Sequence, residues 1–386
     1  MTLLGTRQSA IGDGGTRTSE RLRVSQLDWI LVAAPLVLSV LGCVLVSSAG
    51  NAAGNAGLGR RQLLGLLAAL MLGYLVTRIE PRSLRAWAPA LYLVSIATMF
   101  LAFTPLGVEI AGARAWVSLP MGFTLQPSEF AKLALIVALA ATLAVGRGGQ
   151  AVTDRTVVHA LAVAALPLAM VLLGNDTGSA IIITGVVAAI MLVAEVPWRW
   201  LAGLSGAAVA AVVLVVSTGL LADYQMQRLL AFLDPTADPT GFGLNTLQSR
   251  VAVGSGGAFG QGLFAGPQTQ GGFVPVNDSD FVFTVAAEEL GFAGGMFILV
   301  CLAVIVWRGL RIAFDARDMF TRLVAVGVSA WFAFQSFENI GMTLGITPVT
   351  GVTLPFVSYG GSSMIAAWLG IGLLQLVRLA GASRSR

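Results

Sequence analysis

Three short runs in this 386-residue chain concentrate side chains able to do chemistry. The first reads Gln126-Pro127-Ser128-Glu129-Phe130-Ala131-Lys132. Pro127 and Ser128 suit a helix start, and Glu129 suits its positive end. Glu129 and Lys132, three apart, share a helix face. They form either a structural ion pair at the helix entrance or the charged wall of a substrate cavity. Lys132 is the only lysine in a chain whose other cations are arginines. Ionisable groups at membrane depth are costly and usually functional, which favours the cavity. The second run is Asn277-Asp278-Ser279-Asp280-Phe281, at the seam between a long polar connection and an apolar stretch. Partial desolvation raises the pKa of a carboxylate at such a boundary and makes it a usable general base near neutral pH. Ser279 or Asp280 opening a helix is equally an ordinary cap, and spacing does not separate the two readings. The third run, Pro348 to Ser363, is rich in Gly, Pro and hydroxyls and follows Glu338 and Asn339. It suits irregular backbone lining a wet cavity, or a re-entrant turn that only shapes a bundle. Arg228 and Arg250 are anion-binding candidates, because the guanidinium fork matches phosphate oxygens; each is equally a solvated loop residue. Glu288 and Glu289 follow Asp280 by two turns. Adjacent helical positions cannot face the same way, so at least one turns inward, and neither is given a catalytic role.

The elements that position these residues are membrane helices. Hydrophobic residues make up 56% of the chain and charged ones 11%, against roughly 25% charged in a soluble domain; mean hydropathy is +0.84. In lipid every backbone polar group is satisfied internally, so long apolar runs mean helices. An outer-membrane barrel would show alternating segments of about ten residues, and the sequence has none. With about 20 apolar residues per span, the expected fold is all-α and polytopic with about ten transmembrane helices. They fall near 29–48, 62–79, 84–103, 129–145, 156–174, 177–195, 199–222, 281–306, 320–340 and 362–380. Asn175 and Asp176 form a tight hairpin between the fifth and sixth. Small residues such as Ala207, Ala208 and Ala211 suit close helix packing. With both termini inside, Arg60, Arg61, Arg114, Arg228 and Arg250 are the only arginines on the outer segments; the other seventeen lie on inner ones. That asymmetry selects this orientation. The long connections then face out: about 104–128, a large extracytoplasmic loop at 223–280 between the seventh and eighth helices, and about 341–361. Long loops in a compact protein are usually functional. Residues 1–26, polar and rich in Gly, Ser and Thr, read as a disordered cytoplasmic tail. The membrane domain runs from 27 to 380, and 381–386 form a second cytoplasmic tail.

Several chemistries are excluded. Cys43 and Cys301 both lie in apolar runs, and His159 is the only histidine, which argues against a disulfide framework, a zinc site or haem. No G-K-[ST] sequence exists, and Gly254 to Gly262 does not fit G-x-G-x-x-G, so no nucleotide site is expected. The net charge of +4 reflects topology and not nucleic-acid binding.

On these residues the chain resembles the SEDS family of cell-wall polymerases, the RodA and FtsW type, over nearly all of residues 25–380. The resemblance rests on QPSEFAK (Gln126 to Lys132), LQSRVAVGSGGAFGQG (Leu247 to Gly262), SDFVFTVAAEELG (Ser279 to Gly291) and NIGMTLGITPVTGVTLPFVSYGGSS (Asn339 to Ser363). The AEELG and PVTG wording is closer to RodA. The resemblance implies an inverting peptidoglycan glycosyltransferase that polymerises lipid II, with Asp280 matching the family's key aspartate. It implies substrate-binding roles for Glu129 and Lys132, with Arg114, Asp176, Gln248, Arg250 and Ser358 in the matching segments. Two departures are visible. Gly112-Ala113-Arg114-Ala115-Trp116 carries its arginine one place early, and Gly174-Asn175-Asp176-Thr177-Gly178-Ser179 keeps the Asp and Gly but lacks the family's Gln-Pro. The departing pyrophosphate needs cations, which Lys132, an arginine or a divalent metal (Mg or Mn) would supply. The implied partners are a class B penicillin-binding protein, lipid II, the nascent glycan strand and the membrane of a bacterium, and the implied role is elongation and cell shape. A lipid II flippase would show paired pseudo-symmetric halves, and no internal repeat is found. A non-catalytic scaffold would not need Asp280, Glu129 and Lys132 together.

Overall fold

A computed structural model describes residues 26–110, 112–118, 124–144, 152–218, 223–234 and 241–383. Residues 1–25 and 384–386 lie outside the described residues, and 381–383, expected as part of a tail, continue the last helix. The fold is an all-α membrane bundle. Long helices stand at all ten expected places: α1 (Trp29–Ala52), α2 (Leu58–Val76), α3 (Pro81–Leu101), α4 (Pro127–Leu143), α5 (Asp154–Leu173), α6 (Thr177–Val193), α7 (Trp198–Thr218), a broken pair α11 (Val282–Glu289) and α12 (Gly291–Asp315), α13 (Met319–Leu344) and α14 (Gly361–Ser383). Five of these, α1, α3, α5, α12 and α14, are long and apolar enough by themselves to cross a membrane, among the described residues. Local chemistry sets the helix starts. Asp28, Thr153, Asp176 and Asp318 cap α1, α5, α6 and α13 through their side chains, and proline opens α3 and α4.

Three features go beyond the sequence reading. The connection 223–280 is not simply a loop: it holds α8 (Asp223–Leu233), α9 (Phe242–Ser255) and the single turn α10 (Pro267–Gln270). These helices are too short and too glycine-flanked to give a spanning signal. The 104–128 connection folds into a small antiparallel sheet of β1 (Gly107–Ile110), β2 (Ala113–Ser118) and β3 (Thr124–Leu125), in that order. On α7, Ala207 and Ala208 are exposed, because α7 sits at the edge of the bundle beside α6. Close helix approach occurs instead where α2 meets α14: a Cβ on Gly372 would lie 2.4 Å from the Gly73 carbonyl oxygen, and one on Gly73 would lie 2.7 Å from that of Trp368.

The eighth expected span, 281–306, breaks at Gly291, whose φ is +68°. The glycine-rich stretch 256–262 satisfies the backbone groups that the break exposes. Gln261 and Gly262 donate to the Glu288 and Glu289 carbonyls at 2.9 and 3.0 Å, while Phe292 and Ala293 donate to the Gly257 and Ala258 carbonyls at 2.8 and 3.0 Å. The contact requires glycine. A Cβ on Gly260 would lie 2.1 Å from the Glu289 carbonyl oxygen, and one on Gly256 would lie 1.9 Å from that of Ala287.

At one end of the bundle, Asp28 ahead of α1 meets Arg308 of α12 and Arg378 of α14, and Gln375 clasps the Asp28 backbone at 2.8 and 3.0 Å. The starts of α4, α6 and α14 come together at the other end, where the chemistry-bearing runs lie.

Candidate functional site

Asp280 does not cap a helix. Phe281 occupies the cap position of α11, and no side chain bonds there. The Asp280 carboxylate instead stands at the edge of the irregular segment 345–360, where a Cβ on Gly351 would lie 3.3 Å from its Oδ2. Ser279 Oγ donates to Oδ1 at 3.2 Å. The residue is half-buried, and burial pushes its pKa up to about 6. The Ser279 hydroxyl opposes that shift, the Asp278 and Asp176 charges reinforce it, and Arg228 lowers it again. Asp278 is likewise raised by burial. The charges of Asp278, Asp176 and Arg228 thus all act on Asp280.

A second set of residues holds the Asp280 segment in place. Asn339 Nδ2 donates to the Asp280 carbonyl and to the Val352 carbonyl, each at 2.7 Å, pinning the two irregular segments to α13. Ser358, a predicted substrate contact, is buried and serves this frame: its Oγ donates to the Ser279 carbonyl at 2.5 Å and accepts from the Leu354 N–H at 2.7 Å. Tyr359 N–H donates to the Asp278 carbonyl at 2.9 Å. Gln62 of α2 bridges the same turn, donating to the Ser358 carbonyl at 2.8 Å and accepting from Gly360 N–H at 3.2 Å. Asp176 accepts from Ser179 N–H and Oγ at 3.0 and 2.7 Å and from Ser128 Oγ at 3.3 Å, joining the starts of α6 and α4.

Glu129 and Lys132 form an ion pair of 2.9 Å, both almost fully buried. Lys132 Nζ also donates to Gln335 Oε1 at 2.6 Å, and Trp331 Nε1 donates to the same oxygen at 2.6 Å. Gln335 Nε2 in turn donates to the Thr353 carbonyl at 2.9 Å. The pair thus ties α4 and α13 to the segment beside Asp280. Arg114 is exposed on β2 and donates to the Ala102 and Thr104 carbonyls at 3.2 and 3.3 Å, at the end of α3, where a cation meets the helix's negative end. Exposed Arg250 on α9 donates to the Gly345 carbonyl at 3.2 Å, and Gln248 is half-buried on the same helix. Both glutamates after Asp280 are buried. Glu288 accepts from the Gln268 and Thr269 N–H groups and from Thr269 Oγ at 2.6 to 2.9 Å, while Glu289 accepts from Ser48 Oγ at 2.5 Å. The helix break after them allows both to turn inward. Gln335 and Gln62 were not singled out from the sequence. The available signal was a glutamine inside an apolar helix, which needs a partner.

Among the described residues, no group of three or more His, Cys, Asp or Glu side chains is placed to hold a metal ion. The described residues do not by themselves build a metal cage.

The fold and site define a polytopic α-helical membrane protein with a half-buried, elevated-pKa carboxylate at one end of its bundle. The family model described as a cell cycle protein, covering FtsW, RodA and SpoVE, matches residues 26–381, and the chain belongs to that family. It is 34% identical over 359 residues to the probable peptidoglycan glycosyltransferase FtsW of Trichlorobacter lovleyi, covering 91% of this chain and 93% of that protein. It is 35% identical over 347 residues to the peptidoglycan glycosyltransferase MrdB of Escherichia coli K12, covering 89% and 92%. A solved chain from work on structural coordination of polymerization and crosslinking by a peptidoglycan synthase complex matches with a TM-score of 0.78 at 32% identity, covering 92% of this chain and 98% of that one. The crystal structure of Thermus thermophilus RodA matches with a TM-score of 0.67 at 31% identity, covering 92% and 97%. The identities to FtsW and MrdB do not separate the two types.

Proposed function

We propose that this protein is an inverting peptidoglycan glycosyltransferase that lengthens glycan strands from lipid II on the extracytoplasmic face of a bacterial membrane. The observation that carries the reading is Asp280: a carboxylate that caps nothing, sits half-buried beside the irregular segment 345–360 and is pushed by burial to a pKa of about 6. Family membership and the relatives' names supply the reaction class.

The acceptor's sugar 4-hydroxyl is a poor nucleophile. Asp280 accepts its proton as the oxygen attacks the donor's anomeric carbon from the face opposite the leaving group. The new C–O bond forms as the anomeric carbon–oxygen bond to undecaprenyl pyrophosphate breaks, and the pyrophosphate leaves with the electron pair. Arg228, already coupled to Asp280, is placed to meet the developing negative charge. Lys132 supports the site through Gln335 and Thr353. The undecaprenyl chain stays in lipid, so the donor reaches Asp280 from the side of the bilayer. With both termini inside, as the arginine asymmetry favours, Asp280 faces outside. The chain's role is wall elongation and cell shape, alongside a class B penicillin-binding protein that crosslinks the product.

The test is polymerisation of purified lipid II by the purified chain, alone and with such a partner. Glycan strands that lengthen with time support the reading. Lipid II left intact under both conditions, with the chain folded, removes it.

A further inference from the structure

The opposite end of the bundle carries a second built site that the proposed reaction does not use. A cavity of about 310 Å³ opens there between the ends of α12 and α14, lined by Trp307, Arg308, Arg311, Ile312, Asp315 and Arg378. Three guanidinium groups line it. Asp28, beneath it and almost fully buried, pairs with Arg308 and lies 3.7 Å from Arg378 Nε. Arg311 is exposed and makes no ion pair with any described residue; it lies over the Trp307 ring at 5.6 Å, and Arg308 does so at 5.5 Å. With Asp315 also counted, the lining and its floor keep one unit of positive charge more than their carboxylates offset.

Beside the cavity and on toward the middle of the helix, α12 presents an apolar stripe to its surroundings: Phe314, Leu310, Trp307 and Val300, of which Phe314 is 81% exposed. Positions 300, 307 and 314 recur every seven residues, so the stripe runs straight down one helix face. A half-exposed tryptophan at a helix end, flanked by arginines, belongs at the headgroup level of a bilayer. Polar cradle and apolar stripe together match a molecule with a phosphodiester headgroup and acyl chains, and basic pockets between membrane helices bind such headgroups. A free phosphate would use the arginines but not the stripe.

We infer that the Arg308–Arg311–Arg378 cavity binds the phosphodiester headgroup of an anionic phospholipid, with the acyl chains along the α12 stripe. The positive-inside orientation puts this lipid in the cytoplasmic leaflet. The headgroup lies against Arg311 and Arg378, while Arg308 stays engaged with Asp28. Bound lipid then bridges α12 and α14, of which α14 begins directly after the irregular segment beside Asp280.

The test uses the full chain in nanodiscs of phosphatidylcholine with or without phosphatidylglycerol, and native mass spectrometry of the released protein. The wild type retains phosphatidylglycerol in preference to phosphatidylcholine. Arg311→Ala and Arg378→Ala each weaken that preference about five-fold, at about 1 kcal/mol per arginine near the surface, while Arg199→Ala leaves it unchanged. Arg199 pairs with exposed Asp154 elsewhere on the chain. Arg311→Ala removes no ion pair and keeps the test valid if the Arg378 variant does not fold. Inorganic phosphate is the competing arm. Equal retention of the two lipids by the wild type, equal loss in Arg199→Ala, or displacement of phosphatidylglycerol by millimolar phosphate would overturn the proposal.

Discussion

Neutralising both partners of the buried Glu129–Lys132 pair is predicted to cost less than the sum of the two single neutralisations. Lys132 is 2% exposed and Glu129 is 4% exposed. Lys132→Met removes the ammonium from Glu129 Oε1, and Glu129 Oε2 already has no hydrogen-bond partner. The variant leaves a buried, uncompensated carboxylate, a change worth about 3–5 kcal/mol. Glu129→Gln keeps an acceptor for the ammonium but loses the charge assistance, at about 1.5–3 kcal/mol. In the double variant Glu129→Gln/Lys132→Met no charge remains to be stranded, so its loss falls short of the sum of the single losses by on the order of 2 kcal/mol. Swapping the charges does not restore the wild type. Gln335 Oε1 is held toward position 132 by Trp331 Nε1 and by the bond from Gln335 Nε2 to Thr353, so a carboxylate at 132 would meet another acceptor. Equilibrium unfolding in mixed micelles measures all four proteins. Strictly additive single losses, or full recovery in Glu129→Lys/Lys132→Glu, would refute this account of the network.

The remaining predictions concern the site, the helix break and orientation. Polymerisation should rise with pH through a midpoint near 6, because Asp280 must be unprotonated to accept a proton. A pH–rate profile flat from 5 to 8 would count against it. Stability has the opposite slope: the folded chain holds this proton up to about pH 6 and the unfolded chain only to about 4, so stability falls between those values as pH rises. Gly260→Ala should destabilise the chain by at least about 1–3 kcal/mol and by more than Gly257→Ala. Both glycines have positive φ, but only at Gly260 would a Cβ strike backbone; equal melting temperatures would contradict the close approach. Cysteines introduced at Thr240 and Asp315 should be labelled from outside and inside the cell respectively, and reversed labelling would invert the proposed orientation.

Much of the bundle was legible because its signals are long. Apolar runs place all ten long helices, and Pro127 and Ser128 mark the start of α4. What was not legible depends on contacts distant in sequence. The break at Gly291 exists because the 256–262 segment crosses beneath it, and nothing in the SDFVFTVAAEELG run shows that partner. The capping and base readings of Asp280 were equal on spacing, and only the backbone at Phe281 separates them. Ser358 reads as a substrate hydroxyl in the sequence, yet its oxygen is committed to Ser279 and Leu354. Asn339 stood next to the third run without a role, because the two carbonyls it joins lie 59 and 13 residues away.

The most direct measurement is glycan chain-length analysis of product from purified lipid II, comparing wild type with Asp280→Asn and recording thermal unfolding of both. The amide matches the carboxylate in size but cannot take a proton. Asp280 makes no capping bond that would be lost. A rise in pKa from 3.8 to about 6 means that the buried charge costs up to about 3 kcal/mol above pH 6. The account predicts that Asp280→Asn is at least as stable as wild type and that its polymerisation falls by about 10²–10⁴-fold. A well-folded Asp280→Asn chain that polymerises at the wild-type rate would contradict it.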